Sequence, residues 1–460
     1  MDKGFIDFYD RISSFQDTRS FSMHSDEEIL QWLEDRKKRT YVTLKKITLE
    51  QCLPWYYDDK EGCIRNTSDS FFRITGLNCY KGKELVYSQP IIEQYEIGYL
   101  GILCCKINNI WHYLMQAKIE PGNVNVVQLS PTLQATKSNF TRKHGGLAPS
   151  FLEYFTDMNT EDIIVDQIQS EQSSRFLKKR NRNVIRVVHS VLSETDTHRW
   201  MTLAQIKKLM HVDNMVNMDT RTVLSCIPYV LMGEEGDVPF KDTPYFYRSA
   251  WNLNRKTLVN IYNNINDVKM FADYKIEKTD LFSLNGWKMK RGEFVSEHSS
   301  PFKLIFCDIH IEGREVNMWR QPLFAATEMA LFGLFCTDDN GMLQFLTRTR
   351  FEVGCFDTME IGPTIQREGG DLKPLDIVEE LFYKELTKGN NIIADVILSE
   401  EGGRFYQEEN RNVLIYIDKK KICSLPKGYV WSDYGTLNML TQVNNCLNIQ
   451  LRNLLSLIGN

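Results

Sequence analysis

The chain repeats itself, and this duplication constrains its fold more than any other feature of the sequence. The segment EPGNVNVVQLSPTLQ, residues 120–134, recurs 232 positions later as EVGCFDTMEIGPTIQ, residues 352–366. Positions 89–134 and 321–366 align without a gap and share 12 identical residues of 46, whereas random pairing would give about three. Because 460 residues also exceed one ordinary domain, we predict two homologous domains, residues 1–235 and 236–460.

The correspondence continues outside this central segment, with the offset slipping from 232 to 229 and 231. Such slips are expected where loops differ in length between two copies of one fold. The further pairs include Trp55 with Trp287, Arg175 with Arg404, Phe176 with Phe405, and Asn217 with Asn448.

Each half contains the same local patterns. Two strand-like runs, YEIGYLGILCCKI and IWHYLMQAKI, flank Asn108-Asn109, and the second half repeats them around Asn340-Gly341, which predicts two β-hairpins. Helical patterns close each half, as LAQIKKLM and TRTVLSCI, then TLNMLTQV and LRNLLSLI. Ser25 and Glu28 form a capping box before another helix. These patterns indicate an α+β fold, duplicated in tandem.

Charge and cysteine usage exclude several classes of protein. A net charge of -5 offers no basic surface for nucleic acid, and the KKRNR run at 178–182 is interpreted as the solvated face of a helix. The eleven cysteines lack a C-x-x-C pair, so we expect buried free thiols in a reducing compartment. The amino terminus does not resemble a signal peptide, and no apolar run approaches the roughly 20 residues of a membrane span. We therefore expect a cytoplasmic protein without membrane contact.

Cofactor and metal motifs are missing from the sequence. No G-x-G-x-x-G lies between a strand and a helix, and the phosphate-binding G-x-x-x-x-G-K-[ST] motif is absent. The eight histidines are scattered, without H-E-x-x-H or a cysteine–histidine cluster. We therefore expect neither a bound cofactor nor a metal ion.

The most polar strand of the first half leads into a loop rich in short polar residues. Gln116, Lys118 and Glu120 share one face of this strand. One interpretation is a solvated face of an antiparallel sheet. The other is a pocket floor, in which Lys118 meets an anionic or carbonyl oxygen and Glu120 moves a proton or holds a sugar hydroxyl.

The loop itself is open to two interpretations, a self-contained set of turns or a ligand site. Its polar residues are Thr132, Gln134, Thr136, Lys137, Ser138 and Asn139. The second half keeps Glu352, Thr364 and Gln366, replaces Gln116 and Lys118 by Arg348 and Arg350, and loses the TKSNF element. This divergence favours a ligand site that specialised in the first half. Trp55 and Trp287 suit packing and stacking on a flat ring equally well.

Several long segments carry a resemblance to a known family. QPIIEQYEIGYLGIL, QAKIEPGN, QLSPTLQATKSNF, TRKHGG and DTRTVLSCIPY occur in the order typical of the NDP-hexose 2,3-dehydratases, which act on dTDP-4-keto-6-deoxyglucose. The resemblance implies a homodimer whose subunit fuses two Nudix-like α/β/α domains, each with a mixed sheet and a dTDP-sugar pocket, one of them working. The Nudix catalytic box is missing, so diphosphate hydrolysis is not expected. A nicotinamide-dependent 3-ketoreductase is the implied next enzyme.

The resemblance also implies which residues contact the sugar nucleotide. In the first half these are Trp55, Thr136, Lys137, Ser138, Asn139, Phe140 and Ser174. In the second half they are Trp287, Arg350, Gln366, Arg367, Glu368, Gly403, Arg404, Phe405 and Tyr406.

For the reaction we hypothesise that Glu120 is the base or a sugar-orienting carboxylate and that Lys118 is its electrostatic partner, with His144 in reserve. Phe140 stands where family members commonly have Tyr, so no hydroxyl is available there. The rival hypothesis from another class is a non-catalytic sugar-nucleotide sensor.

Overall fold

The computed structural model describes residues 21–69, 71–137, 148–156, 158–228, 249–312, 316–369 and 373–458. The first half contains helices α1 (Asp26–Arg39), α2 (Glu153–Thr156), α3 (Leu203–Met210) and α4 (Met218–Ser225). Its strands are β1 (Val42–Ile47), β2 (Trp55–Asp58), β3 (Cys63–Asn66), β4 (Arg73–Lys81), β5 (Glu84–Glu93), β6 (Gly98–Ile107), β7 (Ile110–Ile119), β8 (Val127–Ser130), β9 (Leu133–Ala135), β10 (Ile163–Ser170), β11 (Phe176–Leu177), β12 (Arg180–Val187) and β13 (His198–Thr202).

The second half contains helices α5 (Arg255–Phe271), α6 (Ile377–Lys388), α7 (Tyr434–Leu440) and α8 (Ile449–Ser456). Its strands are β14 (Tyr274–Thr279), β15 (Trp287–Lys290), β16 (Glu293–Ser296), β17 (Phe302–Ile311), β18 (Met318–Ala326), β19 (Ala330–Asp339), β20 (Met342–Phe351), β21 (Met359–Gly362), β22 (Ile365–Arg367), β23 (Ile392–Ser399), β24 (Phe405–Tyr406), β25 (Glu409–Tyr416) and β26 (Tyr429–Asp433).

Two seven-stranded sheets share one strand order. The first runs β10-β12-β6-β7-β13, with β8 on β7 and β9 on β6. The second runs β23-β25-β19-β20-β26, with β21 on β20 and β22 on β19. In each sheet one neighbouring pair is parallel, β12 with β6 and β25 with β19, among antiparallel pairs. The fold is therefore a mixed α/β fold with mixed sheets, and the two halves have equivalent topology.

The two six-stranded sheets exchange a strand between the halves. Strand β1 of the first half pairs antiparallel with β17, and β14 of the second half pairs antiparallel with β4. Each smaller sheet is therefore completed by a strand from the other half. The expected boundary between residues 235 and 236 lies outside the described residues.

The predicted hairpins and helix start are confirmed. Asn108 and Asn109 have φ of 50° and 64° between β6 and β7, and Asn340 and Gly341 have φ of 56° and 82° between β19 and β20. Both central residues of a type I′ turn need positive φ, which Asn and Gly adopt most readily. The Ser25 hydroxyl accepts a hydrogen bond from the Glu28 amide, and the Glu28 carboxylate accepts one from the Ser25 amide.

The interpretation of the KKRNR run as a helical face is wrong. Arg180 begins strand β12, and Lys179 is 6% exposed. Lys179 Nζ donates to the carbonyl oxygen of Glu96 at 2.5 Å, and Arg182 forms a bidentate pair with Asp166 on β10. Lys179 and Arg182 are therefore bound by distant segments of the chain, contacts that local sequence does not reveal.

The cysteine prediction is confirmed in part. All eleven cysteines are free, and ten of them are buried, with Cys423 exposed. Within the described ranges, no helix is long and apolar enough to cross a membrane.

Candidate functional site

Two equivalent loops, residues 171–176 and 400–405, each cross into the opposite half of the molecule; we call them the first and second crossing loops. The second crossing loop lies over Gly122. The amide of Gly122 donates to the carbonyl oxygen of Gly402 at 2.8 Å, and the amide of Gln407 donates to the carbonyl oxygen of Gly122 at 2.8 Å. A β-carbon on Gly122 would overlap the carbonyl oxygen of Phe405. Only glycine leaves room for this backbone crossing.

The first crossing loop makes the same contacts in the second half. The amide of Gly354 donates to the carbonyl oxygen of Ser173 at 2.8 Å. The amide of Lys178 donates to the carbonyl oxygen of Gly354 at 2.7 Å. A β-carbon on Gly354 would overlap the carbonyl oxygen of Phe176. The glycine repeated in both copies of the phrase is therefore explained by the chain of the other half.

Beside Gly122, polar side chains form one hydrogen-bonded network, the first pocket. Lys118 Nζ donates to the carbonyl oxygen of Gln134 at 3.0 Å, and Gln134 Nε2 donates to Glu120 Oε1 at 3.1 Å. Ser130 Oγ and Asn217 Nδ2 donate to Gln134 Oε1 at 3.0 and 3.1 Å. Glu120 is 6% exposed. The structure therefore favours a pocket floor over a solvated face for this end of β7.

The second crossing loop adds the carboxylate of Glu401 to this pocket. A β-carbon on Gly403 would overlap Glu401 Oε1 and would lie 3.5 Å from Glu120 Oε1, so both carboxylates lie beside Gly403. Burial raises the pKa of Glu401 to about 7; Arg404 opposes this rise, and Glu120 and Glu171 add to it.

Asp219, near the start of α4, is a further buried carboxyl in this region. Burial raises its pKa well above the ordinary value, and the charges of Glu171, Glu401 and Glu120 add to the rise. Sequence reasoning missed both Glu401 and Asp219. Alignment of the halves could have indicated them, because each carboxyl aligns with an amide of the other half: Glu401 with Gln172, and Asp219 with Gln450.

The second pocket repeats the amide network with different charges. Gln366 Nε2 donates to Glu352 Oε1 at 3.0 Å, and Asn448 Nδ2 donates to Gln366 Oε1 at 2.8 Å. Arg350 takes the place of Lys118, and its buried Nε has no hydrogen-bond partner among the residues that the structure describes. Burial raises the pKa of Glu352 to about 7, against the opposing charge of Arg350.

An arginine of each crossing loop rests on an aromatic ring of the opposite half. The Arg404 guanidinium lies 4.4 Å from the ring centre of Phe72, and Arg404 Nη2 donates to Gln94 Oε1 at 3.3 Å. The Arg175 guanidinium lies 4.0 Å from the ring centre of Phe302 and pairs with Glu368 at 2.5 Å. Each arginine is thus held in place by stacking and by a polar contact.

The two tryptophans lie behind these aromatic rings. Trp55 packs on Phe72 with centroids 4.6 Å apart, and Trp287 packs on Phe302 at 5.5 Å. They are 2% and 8% exposed. Of the two alternatives left open by the sequence, the structure shows packing.

Only some of the other residues expected to contact the sugar nucleotide lie in the described part of the chain. Ser138, Asn139, Phe140 and His144 lie outside the described residues, whereas Thr136 and Lys137 directly follow β9. The sequence assigned Ser174 to the first half's site and 403–406 to the second's. In the structure each crossing loop lies against the opposite half: the loop with Gly403 lies beside Gly122, and the loop with Ser174 lies beside Gly354.

The structure does not bring Arg367 to the second pocket. Its Nε lies 3.5 Å from Glu379 Oε2 on α6, whereas the preceding Gln366 faces Glu352. Neighbouring residues of a strand point to opposite faces, which explains why the side chains of Gln366 and Arg367 have different partners. Tyr406 ends β24, where Lys46 Nζ lies 5.8 Å from its ring centre.

Within the described ranges, no three His, Cys, Asp or Glu side chains are grouped so that they could hold a metal ion.

Comparison with known proteins gives a consistent result. A family model described as NDP-hexose 2,3-dehydratase matches residues 26–227 and again 258–458. A protein of Amycolatopsis orientalis named dTDP-4-dehydro-6-deoxy-alpha-D-glucopyranose 2,3-dehydratase is 32% identical, covering 98% of this chain and 94% of the relative. A protein of the same name from Saccharopolyspora spinosa is 33% identical, covering 92% and 89%.

Among solved structures, one titled "Crystal structure of ADP compounds hydrolase" aligns with 31% of this chain and 75% of its own, at 14% identity and a TM-score of 0.18.

Proposed function

The chain belongs to the NDP-hexose 2,3-dehydratase family, and we propose that it removes water across carbons 2 and 3 of dTDP-4-keto-6-deoxy-D-glucose. The product is dTDP-3,4-diketo-2,6-dideoxy-D-glucose. The observation that carries this proposal is the match over nearly the whole chain to relatives with that name. The buried network of Lys118, Gln134 and Glu120 supports it, because it supplies a carboxylate and a cation in one pocket.

The chemistry requires three groups. The carbonyl at carbon 4 acidifies the hydrogen on carbon 3, since the resulting carbanion delocalises onto oxygen as an enolate. A base must take that proton, a donor must stabilise the enolate oxygen, and an acid must assist loss of the hydroxyl on carbon 2. The enol then tautomerises to the diketone. In this scheme Glu120 is the base, and Lys118 stabilises the keto or diphosphate oxygens.

The two pockets differ in the groups that transfer protons. The first pocket has the carboxyl of Glu401, with the buried Asp219 within electrostatic range, whereas Gln172 and Gln450 stand at the equivalent positions for the second pocket. An amide side chain does not exchange a proton in the way a carboxyl does. We therefore assign turnover to the first pocket and propose that the second is scaffold or a vestigial nucleotide pocket.

The remaining expectations are proposals that rest on family membership. Each half is proposed to be a Nudix-like α/β/α unit, within residues 1–235 and 236–460, and the protein to be a cytoplasmic homodimer. The sugar nucleotide is proposed to contact the crossing loops and the Thr136–Phe140 segment. Because a diketone is unstable, a nicotinamide-dependent 3-ketoreductase is proposed to act next.

Incubation with dTDP-4-keto-6-deoxyglucose tests the function. The expected result is loss of substrate and of one water, with the diphosphate intact and the product trapped by a 3-ketoreductase. Substrate that binds but stays unchanged would instead support a sugar-nucleotide sensor. Release of thymidine monophosphate would support a hydrolase.

A further inference from the structure

The backbone of Glu401 is held beside the first pocket by a turn of the second half. The amides of Arg404 and Phe405 donate to the carbonyl oxygen of Glu401 at 3.3 and 3.1 Å, which forms a tight turn. The hydrogen bond from Gly122 to Gly402 fixes this turn against the first half. The position of Glu401 is therefore set by contacts between the halves.

The carboxylates of Glu120 and Glu401 have different hydrogen-bond environments. Glu120 Oε1 accepts a hydrogen bond from the side-chain amide of Gln134 at 3.1 Å. Within the described part of the chain, the half-buried carboxylate of Glu401 accepts no hydrogen bond, and only the charges of Arg404 and Lys118 favour its ionised form. Unequal environments of this kind separate a general base from a general acid.

We propose that Glu401 is the general acid of the dehydration, acting opposite Glu120, so that the active centre is assembled from both halves of the chain. This assignment rests on the proposed function. Burial and the neighbouring Glu120 raise the pKa of Glu401 and so favour its protonated form, as a proton donor requires. Gly403 supports the assignment, because a β-carbon there would overlap Glu401 Oε1 and would lie 3.5 Å from Glu120 Oε1.

The proton balance closes within this pair. Glu120 takes the proton from carbon 3, and the electron pair of that bond forms the double bond between carbons 2 and 3. The bond from carbon 2 to oxygen breaks, and the leaving hydroxyl takes the proton of Glu401 and departs as water. In the tautomerisation that follows, ionised Glu401 takes the proton of the enol hydroxyl on carbon 3. Protonated Glu120 then delivers its proton to carbon 2, which restores both residues.

The second pocket supports the same division of roles. Gln172 takes the place of Glu401, and Ser174 takes the place of Gly403. The second pocket therefore has a carboxylate at Glu352 but no acid facing it from the first crossing loop. Since Gln stands at the equivalent place in the same fold, Glu401→Gln is expected to fold normally.

The test uses the full chain carrying Glu401→Gln and follows two reactions of dTDP-4-keto-6-deoxyglucose in deuterium oxide. Elimination of water should fall about 100-fold or more, because the acid is lost. Exchange of the hydrogen on carbon 3 for deuterium should continue, because Glu120 remains. Binding of the sugar nucleotide, measured by calorimetry, should stay within about threefold, since the removed group acts mainly in the transition state.

Glu360→Gln is the matched control, because it also replaces a buried glutamate and because Gln128 stands at the equivalent place in the first half. It should eliminate water at the wild-type rate. An equally active Glu401→Gln protein would overturn the assignment, and so would loss of carbon 3 exchange together with elimination, which would make Glu401 the base. Wild-type protein that binds the sugar but never consumes it would contradict the proposed function itself.

Discussion

Phe176 and Phe405 meet edge to face, with ring centroids 5.7 Å apart and ring planes inclined at 79°. Each ring ends one crossing loop, and the carbonyl oxygen of each residue lies over the repeated glycine of the opposite half. The two loops therefore pass each other at a buried aromatic contact. Together with the exchanged strands β1 and β14, this contact makes each half depend on the other for its pocket.

Gly122→Ala tests this interlocking. A methyl group on residue 122 would overlap the carbonyl oxygen of Phe405, and backbone cannot move aside as a flexible side chain can. We expect the free energy of unfolding to fall by about 3 kcal/mol, measured by denaturant titration. The control is Gly82→Ala, where the added carbon has space but φ is +59°, so a loss of about 1 kcal/mol is expected. Equal losses in the two variants would show that the crossing is not tightly packed.

Much of the fold follows from local sequence, and the relation between the halves does not. The hairpins at Asn108-Asn109 and Asn340-Gly341 follow from turn chemistry that operates over a few residues. The exchange of β1 and β14 depends on pairing between distant segments, for which an alternating pattern specifies a face but no partner. The contacts of the crossing loops also join segments that are distant in the sequence.

Lys118→Met and Arg350→Met distinguish the two pockets. Loss of the Lys118 ammonium should lower turnover about 100-fold, because the developing enolate or the diphosphate loses its cation. Loss of the Arg350 guanidinium should lower the number of nucleotides bound per chain. Turnover assays and calorimetric titration with dTDP measure these effects. If Arg350→Met abolishes turnover while Lys118→Met spares it, the second pocket is the working one.

Glu360→Gln should change the dependence of stability on pH. Burial raises the pKa of Glu360 to about 8, from an ordinary value of 4.5. Between these values the folded state holds a proton that the unfolded state has lost, so this stabilisation is complete below pH 4.5 and is lost as pH rises through about 8. Gln does not titrate and retains an oxygen for the hydrogen bond from Ser170, which is 2.8 Å long.

The melting temperature of the wild type should therefore fall relative to that of Glu360→Gln between pH 5 and pH 8, roughly the interval between the two pKa values. Thermal unfolding followed by circular dichroism at several pH values measures the difference. Parallel curves for the two proteins would show that Glu360 is ionised in the folded state.

Part of the candidate site could be predicted from the sequence. The period of two along β7 grouped Lys118 with Glu120, and the structure joins them through Gln134. Glu401 was missed because its relevance depends on a loop from the other half, 281 residues further along the chain. For the tryptophan pair the structure shows packing, and contact with the sugar nucleotide stays a prediction.

Glu120→Gln tests whether the first pocket removes water and whether Glu120 takes the proton from carbon 3. Its turnover of dTDP-4-keto-6-deoxyglucose is compared with its affinity for the same compound. We expect nearly unchanged binding and a fall in turnover of about 100-fold or more. Turnover at the wild-type rate would contradict this role of Glu120.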